Sequence, residues 1–141
     1  MSREVPLLAS EKLKLGCLIT IVLAFLIPAV VGNWKSIYRS IVRDKEGYEK
    51  ALDEIGDRYY FQMISEKKNV SIMKIAVEPE AWRSYDTDNR TKYCNAVFKA
   101  ICDAQQKYKM TDKDSSPLIH FYVNSREVGS VDDGFTTVST D

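Results

Sequence analysis

The sequence predicts an α+β protein in three parts: an N-terminal transmembrane helix, an amphipathic stalk helix, and a small βαββ domain with one helix packed on a three-stranded sheet. Three observations predict it. The run Leu15–Trp34 holds no charged residue, apolar positions from Tyr38 to Tyr59 recur at helical spacing, and beyond residue 66 alternating stretches flank one long amphipathic pattern. The segments are then a short tail over 1–14, the membrane helix over 15–34, the stalk over 35–66, the domain over 67–131 and a C-terminal tail over 132–141.

Leu15–Trp34 rises roughly 30 Å as a helix, the hydrocarbon thickness of a bilayer. Trp34 stands where an interfacial aromatic belongs, and Lys14 and Lys35 can reach the polar layers at the two ends. A buried helix of a soluble protein would carry a polar face, and this run has none. The stretch also has the ingredients of a leader: Lys12 and Lys14, an apolar centre from Leu15 to Ile27, then Pro28, Val30 and Gly32 before a cut. Against a cut stand Glu4 and Glu11 in a long leading region, and an uncharged run that continues to Trp34. A retained anchor is the expectation, with cleavage after Gly32 as the alternative.

Within the anchor, Gly16, Thr20, Ala24, Pro28 and Gly32 recur every four residues. Such spacing lays compact side chains along one slowly turning stripe, by which membrane helices approach each other closely. Flanking charge barely orients the segment. Arg3, Lys12, Lys14 and the amino terminus oppose Lys35, Arg39, Arg43 and Lys45. The short leading tail makes an inside N-terminus the default, which leaves the C-terminal domain on the extracytoplasmic side.

The stalk is read from spacing. Ile41, Tyr48 and Ile55 lie seven apart, and Tyr38, Leu52 and Tyr59 fill a second seam interrupted by Lys45. That pattern suits a short coiled coil or an amphipathic helix packed on its own domain. Gly47 and Gly56 weaken either one, at about 1 kcal/mol each relative to alanine.

In the domain, Met73, Ile75 and Val77 alternate with Lys74 and Ala76 as a strand, and Pro79 ends the ladder. Cys94, Val97, Phe98, Ile101 and Cys102 then form one helical stripe, preceded by Asp86 and Asp88 as capping carboxylates. Ile119, Phe121 and Val123 alternate with His120 and Tyr122 in a hairpin that turns at Asn124-Ser125. A three-stranded sheet covered by one helix leaves its second face for solvent or a partner. The stretch "EPEAWRSYDTDNRTKYCNAVFKAI" with the hairpin "HFYVNSREVG" resembles a unit of small uncharacterised bacterial proteins. In that unit a strand leads to an acidic-Pro-x-x-Trp turn, an amphipathic helix and a terminal hairpin. The resemblance covers roughly residues 70–131; it implies a bacterial source and a small α+β fold, and no catalytic residues.

Lys+Arg and Asp+Glu number 20 each, so no basic footprint points to nucleic acid. Cys17 lies in the apolar run, and Cys94 and Cys102 sit roughly 12 Å apart along one helix, beyond disulfide or shared-zinc reach. His120 is the only histidine, and strand alternation turns it away from the cysteine stripe, which disfavours a Cys-His pair. "DTDNRTK" lacks the third acidic ligand, the glycine and the terminal glutamate of a calcium loop. Glu78 and Glu80 flank Pro79 without an apolar shell to shift them. The expectation is a non-catalytic chain without cofactor or metal. Its expected partners are the lipid bilayer, other membrane or envelope proteins and a second copy of itself. Trp82, Tyr85, His120 and Tyr122 are the expected contact residues.

Overall fold

The computed structural model describes residues 5–140 and resolves into two compact units, Met1–Ile41 and Val42–Asp141. Arg3, Glu4 and the amino terminus, which bear on orientation and cleavage, lie outside the described residues.

The first unit is a single helix, α1 (Val5–Val42), with Pro28 inside it. Residues expected as a tail are therefore helical from Val5 onward. Pro6 is tolerated in a first turn, and leucine, alanine, glutamate and lysine favour the helix thereafter. The 19 residues Gly16–Trp34 are long and apolar enough to cross a membrane, and none of those described is buried. Thr20 Oγ1 donates to the Gly16 carbonyl at 2.8 Å, which satisfies the hydroxyl inside an apolar stretch. Pro28 has no amide hydrogen, so the Ala24 carbonyl is left without its usual helical donor.

The second unit opens with α2 (Lys45–Tyr59), and here the continuous stalk expected over 35–66 is corrected. Arg43 and Asp44 interrupt the helix, because Asp44 leaves helical geometry (φ −101°, ψ 86°) to cap α2. Its Oδ1 accepts from the Gly47 amide at 2.9 Å, and its own amide donates to the Tyr108 carbonyl at 3.2 Å. The seam residues Tyr48, Leu52 and Ile55 are all buried within this unit, on α4 and β1. They serve an intramolecular core, the second of the two arrangements their spacing allows. Gly56 admits a close approach: a Cβ there would sit 2.8 Å from the Phe61 carbonyl oxygen. The helix ends at Tyr60 in the left-handed region (φ 57°), whose amide donates to the Gly56 carbonyl.

The sheet has five strands where three were expected. Their order is β1 (Phe61–Met63), β2 (Ile72–Val77), β3 (Leu118–Val123), β4 (Arg126–Asp132) and β5 (Phe135–Val138). All neighbours are antiparallel except β2 and β3, which run parallel. Parallel pairing demands a crossover, supplied by α3 (Pro79–Ser84) and α4 (Thr87–Lys107). Pro79 ends the strand and starts α3, where its missing amide costs nothing. Asp86 caps α4 by accepting from the Asn89 amide at 2.8 Å. Two tight turns close the C-terminal meander. Asn124-Ser125 and Asp133-Gly134 all have positive φ, as two-residue hairpin loops require. The C-terminal tail expected over 132–141 therefore contributes an edge strand.

The helices cover one face of this sheet. Phe61, Met73, Ile75, Val77, Ile119, Phe121 and Val131 meet Leu52, Ile55, Val97 and Ile101 in one apolar cluster. Tyr93 is its aromatic hub, with ring centroids 5.7 to 6.3 Å from Tyr85, Trp82, Phe121 and Tyr59. Its hydroxyl donates to the Tyr59 carbonyl at 2.7 Å, the partner a buried phenol needs. One amide is fully buried as well. Gln105 Nε2 donates to the Val70 carbonyl at 2.9 Å and to the Tyr48 hydroxyl at 3.2 Å.

Candidate functional site

Strand alternation separates the residues singled out from the sequence into two groups. On the helix-covered face, Trp82 is only 3% exposed and is a core residue, not a surface contact. Arg90 lies over its ring at 5.2 Å and donates from Nε to its carbonyl at 3.3 Å. Tyr85, half-buried, stacks at a tilt against Tyr93. The tryptophan that makes the acidic-Pro-x-x-Trp turn recognisable is thus structural. No signal within the turn itself separates a core tryptophan from a docking one.

His120 and Tyr122 fall on the other face, because Ile119 and Phe121 point into the core. Neighbouring strands bring them company. Lys74 pairs in register with His120, Ser130 stands opposite His120, and Glu127 stands opposite Tyr122. The register shift at Phe121/Tyr122 skips Val128, which re-aims Glu127 towards the histidine. The imidazole Nδ1 and Glu127 Oε1 are 2.8 Å apart. Sequence reasoning missed Glu127. A two-residue turn at Asn124-Ser125 already places it opposite Tyr122 and diagonal to His120.

Chemically, this face offers an oriented imidazole, a carboxylate, a phenol and an ammonium in one stripe across three strands. Those groups can make hydrogen bonds and charge-assisted contacts to an apposed surface. Ile72, exposed at 48%, adds apolar area on the same face, in register with half-buried Leu118. None of α2, α3 or α4 lies over it.

The cysteines stand apart from this stripe. Cys94 lies on the buried side of α4, where burial pushes its thiol up to about 12. Cys102, half-buried, is pushed up to about 11 by burial and by the nearby Asp103 carboxylate. Both are protonated at neutral pH and poor nucleophiles. Among the described residues, no group of three or more His, Cys, Asp or Glu side chains is arranged to hold a metal ion.

Cavities open elsewhere on the second unit. One of about 450 Å³ adjoins β1, lined by Asp57, Tyr60, Phe61, Val77, Glu78 and Pro79 among others. Another of about 430 Å³ lies between α2 and α4, where Glu54, Arg58, Lys99, Asp103 and Lys107 mix both signs of charge. None of the four expected contact residues lines either one. The five compact residues of the membrane stripe, Gly16, Thr20, Ala24, Pro28 and Gly32, all lie exposed along α1. Comparison with known proteins finds no matching family model, no matching curated protein and no matching solved structure.

Proposed function

We propose that this chain is a single-pass membrane protein whose C-terminal domain binds another protein within an envelope assembly, without catalysing a reaction. The observation that carries this reading is the uncovered sheet face bearing Lys74, His120, Tyr122 and Glu127, in a chain that also has a 19-residue membrane-length helix. An open face on a mixed sheet is either solvated or occupied by a partner, and a partner there would meet an imidazole already oriented by a carboxylate, beside a phenol and an ammonium. The domain sits outside the cytoplasm in this proposal, with an inside N-terminus. The compact stripe from Gly16 to Gly32 supports a second copy of the chain beside the first in the bilayer.

The test is site-specific photo-crosslinking from position 122 in native membranes. Adducts of one defined mass, lost when His120 and Glu127 are both replaced by alanine, support the reading. A crosslinker at 122 that yields no adduct, while one at an equivalent exposed control site behaves alike, overturns it.

A second reading draws on the unit boundary. The hydrophobic core is composed entirely of residues from Tyr48 onward, so a leader cut after Gly32 would release an intact binding or inhibitor domain. The intact mass of the mature chain separates the two readings. A product beginning at Asn33 makes the domain secreted or periplasmic; an unprocessed N-terminus makes it anchored.

A further inference from the structure

α1 does not end where the membrane-length stretch ends. It continues from Trp34 to Val42, and this extension has a different character from the span. Trp34, Ile37, Tyr38 and Ile41 are exposed at 57%, 38%, 56% and 75%. Their spacing is i, i+3, i+4 and i+7, which at 100° per residue confines them to an arc of about 100°. Positions 35 and 39, where the sequence places Lys35 and Arg39, fall roughly 110° to 150° from the centre of that arc. Ser36 and Ser40 complete the polar side, and Ser40 Oγ is already satisfied by the Ile37 carbonyl at 2.8 Å. No acidic residue occurs between Trp34 and Asp44. Two short turns of helix thus carry an exposed apolar stripe in a stretch whose sequence is basic or neutral throughout.

We propose that this extension is an interfacial anchor for anionic lipid: Trp34, Ile37, Tyr38 and Ile41 lie in the boundary between acyl chains and headgroups, in a stretch whose sequence carries positive charge at positions 35 and 39 to complement lipid phosphate. The inference rests on the reading of Gly16–Trp34 as a retained span. Three things select lipid over other occupants. The stripe is continuous with the span through Trp34, so its apolar area is already at the membrane surface when the span is inserted. Its length, about 10 Å from residue 35 to 41, matches the depth of one headgroup layer. Its flanking charge is of one sign, complementary to phosphate. Trp34 and Tyr38 are also the aromatic types that settle at the interface. Tilt of α1 towards the stripe satisfies all four apolar side chains at once.

The experiment uses the full chain in lipid nanodiscs holding one copy each, made with neutral lipid alone or with one-third anionic lipid. Cys17→Ser and Cys102→Ser remove the thiols that are not buried, while buried Cys94 stays unlabelled. Single cysteines are then introduced at Ile37, Ile41, Ser36 and Ser40, with Leu23→Cys as a depth control. Accessibility to a water-soluble thiol reagent is measured at each. In anionic discs, positions 37 and 41 should react at least ten-fold more slowly than 36 and 40. Adding Lys35→Gln and Arg39→Gln should shrink that ratio by at least three-fold in anionic discs and leave it unchanged in neutral ones. Equal reactivity at all four positions, with Leu23→Cys protected, overturns the interfacial assignment and leaves the span standing. Protection at 37 and 41 only in discs holding two copies assigns the stripe to a second chain and equally overturns it. Fast reaction at Leu23→Cys removes the span, and this inference with it.

Discussion

Gln105 holds two elements of the core in place through one amide. It donates to the Val70 carbonyl ahead of β2 and to the Tyr48 hydroxyl on α2, and is itself fully buried on α4. Replacing it with leucine keeps the volume but leaves both acceptors unpaired, a loss of about 1–3 kcal/mol. Tyr48→Phe should cost about 1 kcal/mol, and the double variant less than the sum, because the two changes remove one shared bond. Denaturant midpoints of the four chains in detergent close this cycle. Cys94 gives a pH prediction. Its thiol is held above its ordinary value, so the folded chain keeps a proton that the unfolded chain releases first. Stability is therefore fully present below about pH 9 and is lost as pH rises towards about 12. Cys94→Ser should flatten that alkaline slope in equilibrium unfolding, whatever it does to stability at pH 7. The buried position of Cys94 was legible in the helical stripe of α4. The burial of Trp82 was not, because a tryptophan after a Pro-containing turn has the same local pattern whether it docks inward or outward.

At the scale of elements, the boundary between α1 and α2 shows what periodicity conceals. Ile41 and Tyr48 keep their seven-residue spacing straight through the break, so the seam reads as continuous although Asp44 interrupts it. The capping signal was present in the sequence, as an aspartate three residues before Gly47, but it was outweighed by the heptad. Asp44→Ala should cost about 1 kcal/mol by removing the cap on α2, seen as a lowered denaturant midpoint. Gly56→Ala tests the neighbouring element. Its methyl would press on the Phe61 backbone at 2.8 Å, so the helix or β1 must move, at about 1–3 kcal/mol. Faster hydrogen exchange at the Gln62 and Ile64 amides would locate the strain in β1. Long elements with strong contrast, α4 and the β3–β4 hairpin, were readable in the sequence. The three-residue β1 was not, because Phe61–Met63 continues an apolar run begun inside α2 and only its pairing with Val77, Ala76 and Ile75 makes it a strand. β5 is hidden for a similar reason: its four residues carry too little periodicity to separate an edge strand from a loose tail.

For the whole molecule, the two-unit division yields a further prediction. Every residue of the apolar core belongs to Val42–Asp141. A chain beginning at Ser40 should therefore unfold with the denaturant midpoint of the full-length protein, within about 0.5 kcal/mol. A lower midpoint in the shortened chain would show that α1 contributes to the domain. Of the proposed site, His120 and Tyr122 could be placed on one face from alternation alone. Their grouping with Glu127 and Lys74 needed the sheet, since it depends on a register shift and on a parallel pairing between strands about forty residues apart.

That parallel pairing also governs the order in which the chain can assemble. β1–β2 and β3–β4–β5 are each built from neighbours in sequence, but the join between them waits for the whole of α3 and α4. The core then closes only when Val131 has left the ribosome. Gly16–Trp34, by contrast, emerges roughly 100 residues earlier. At about 5–20 residues per second, the apolar helix has several seconds alone before the sheet behind it can close. During that interval the half-built sheet exposes Met73, Ile75 and Val77 with nothing to cover them. On the proposed reading of this helix as a membrane span, its early engagement by the bilayer would keep such intermediates dispersed, one chain from the next, until the second half of the sheet arrives.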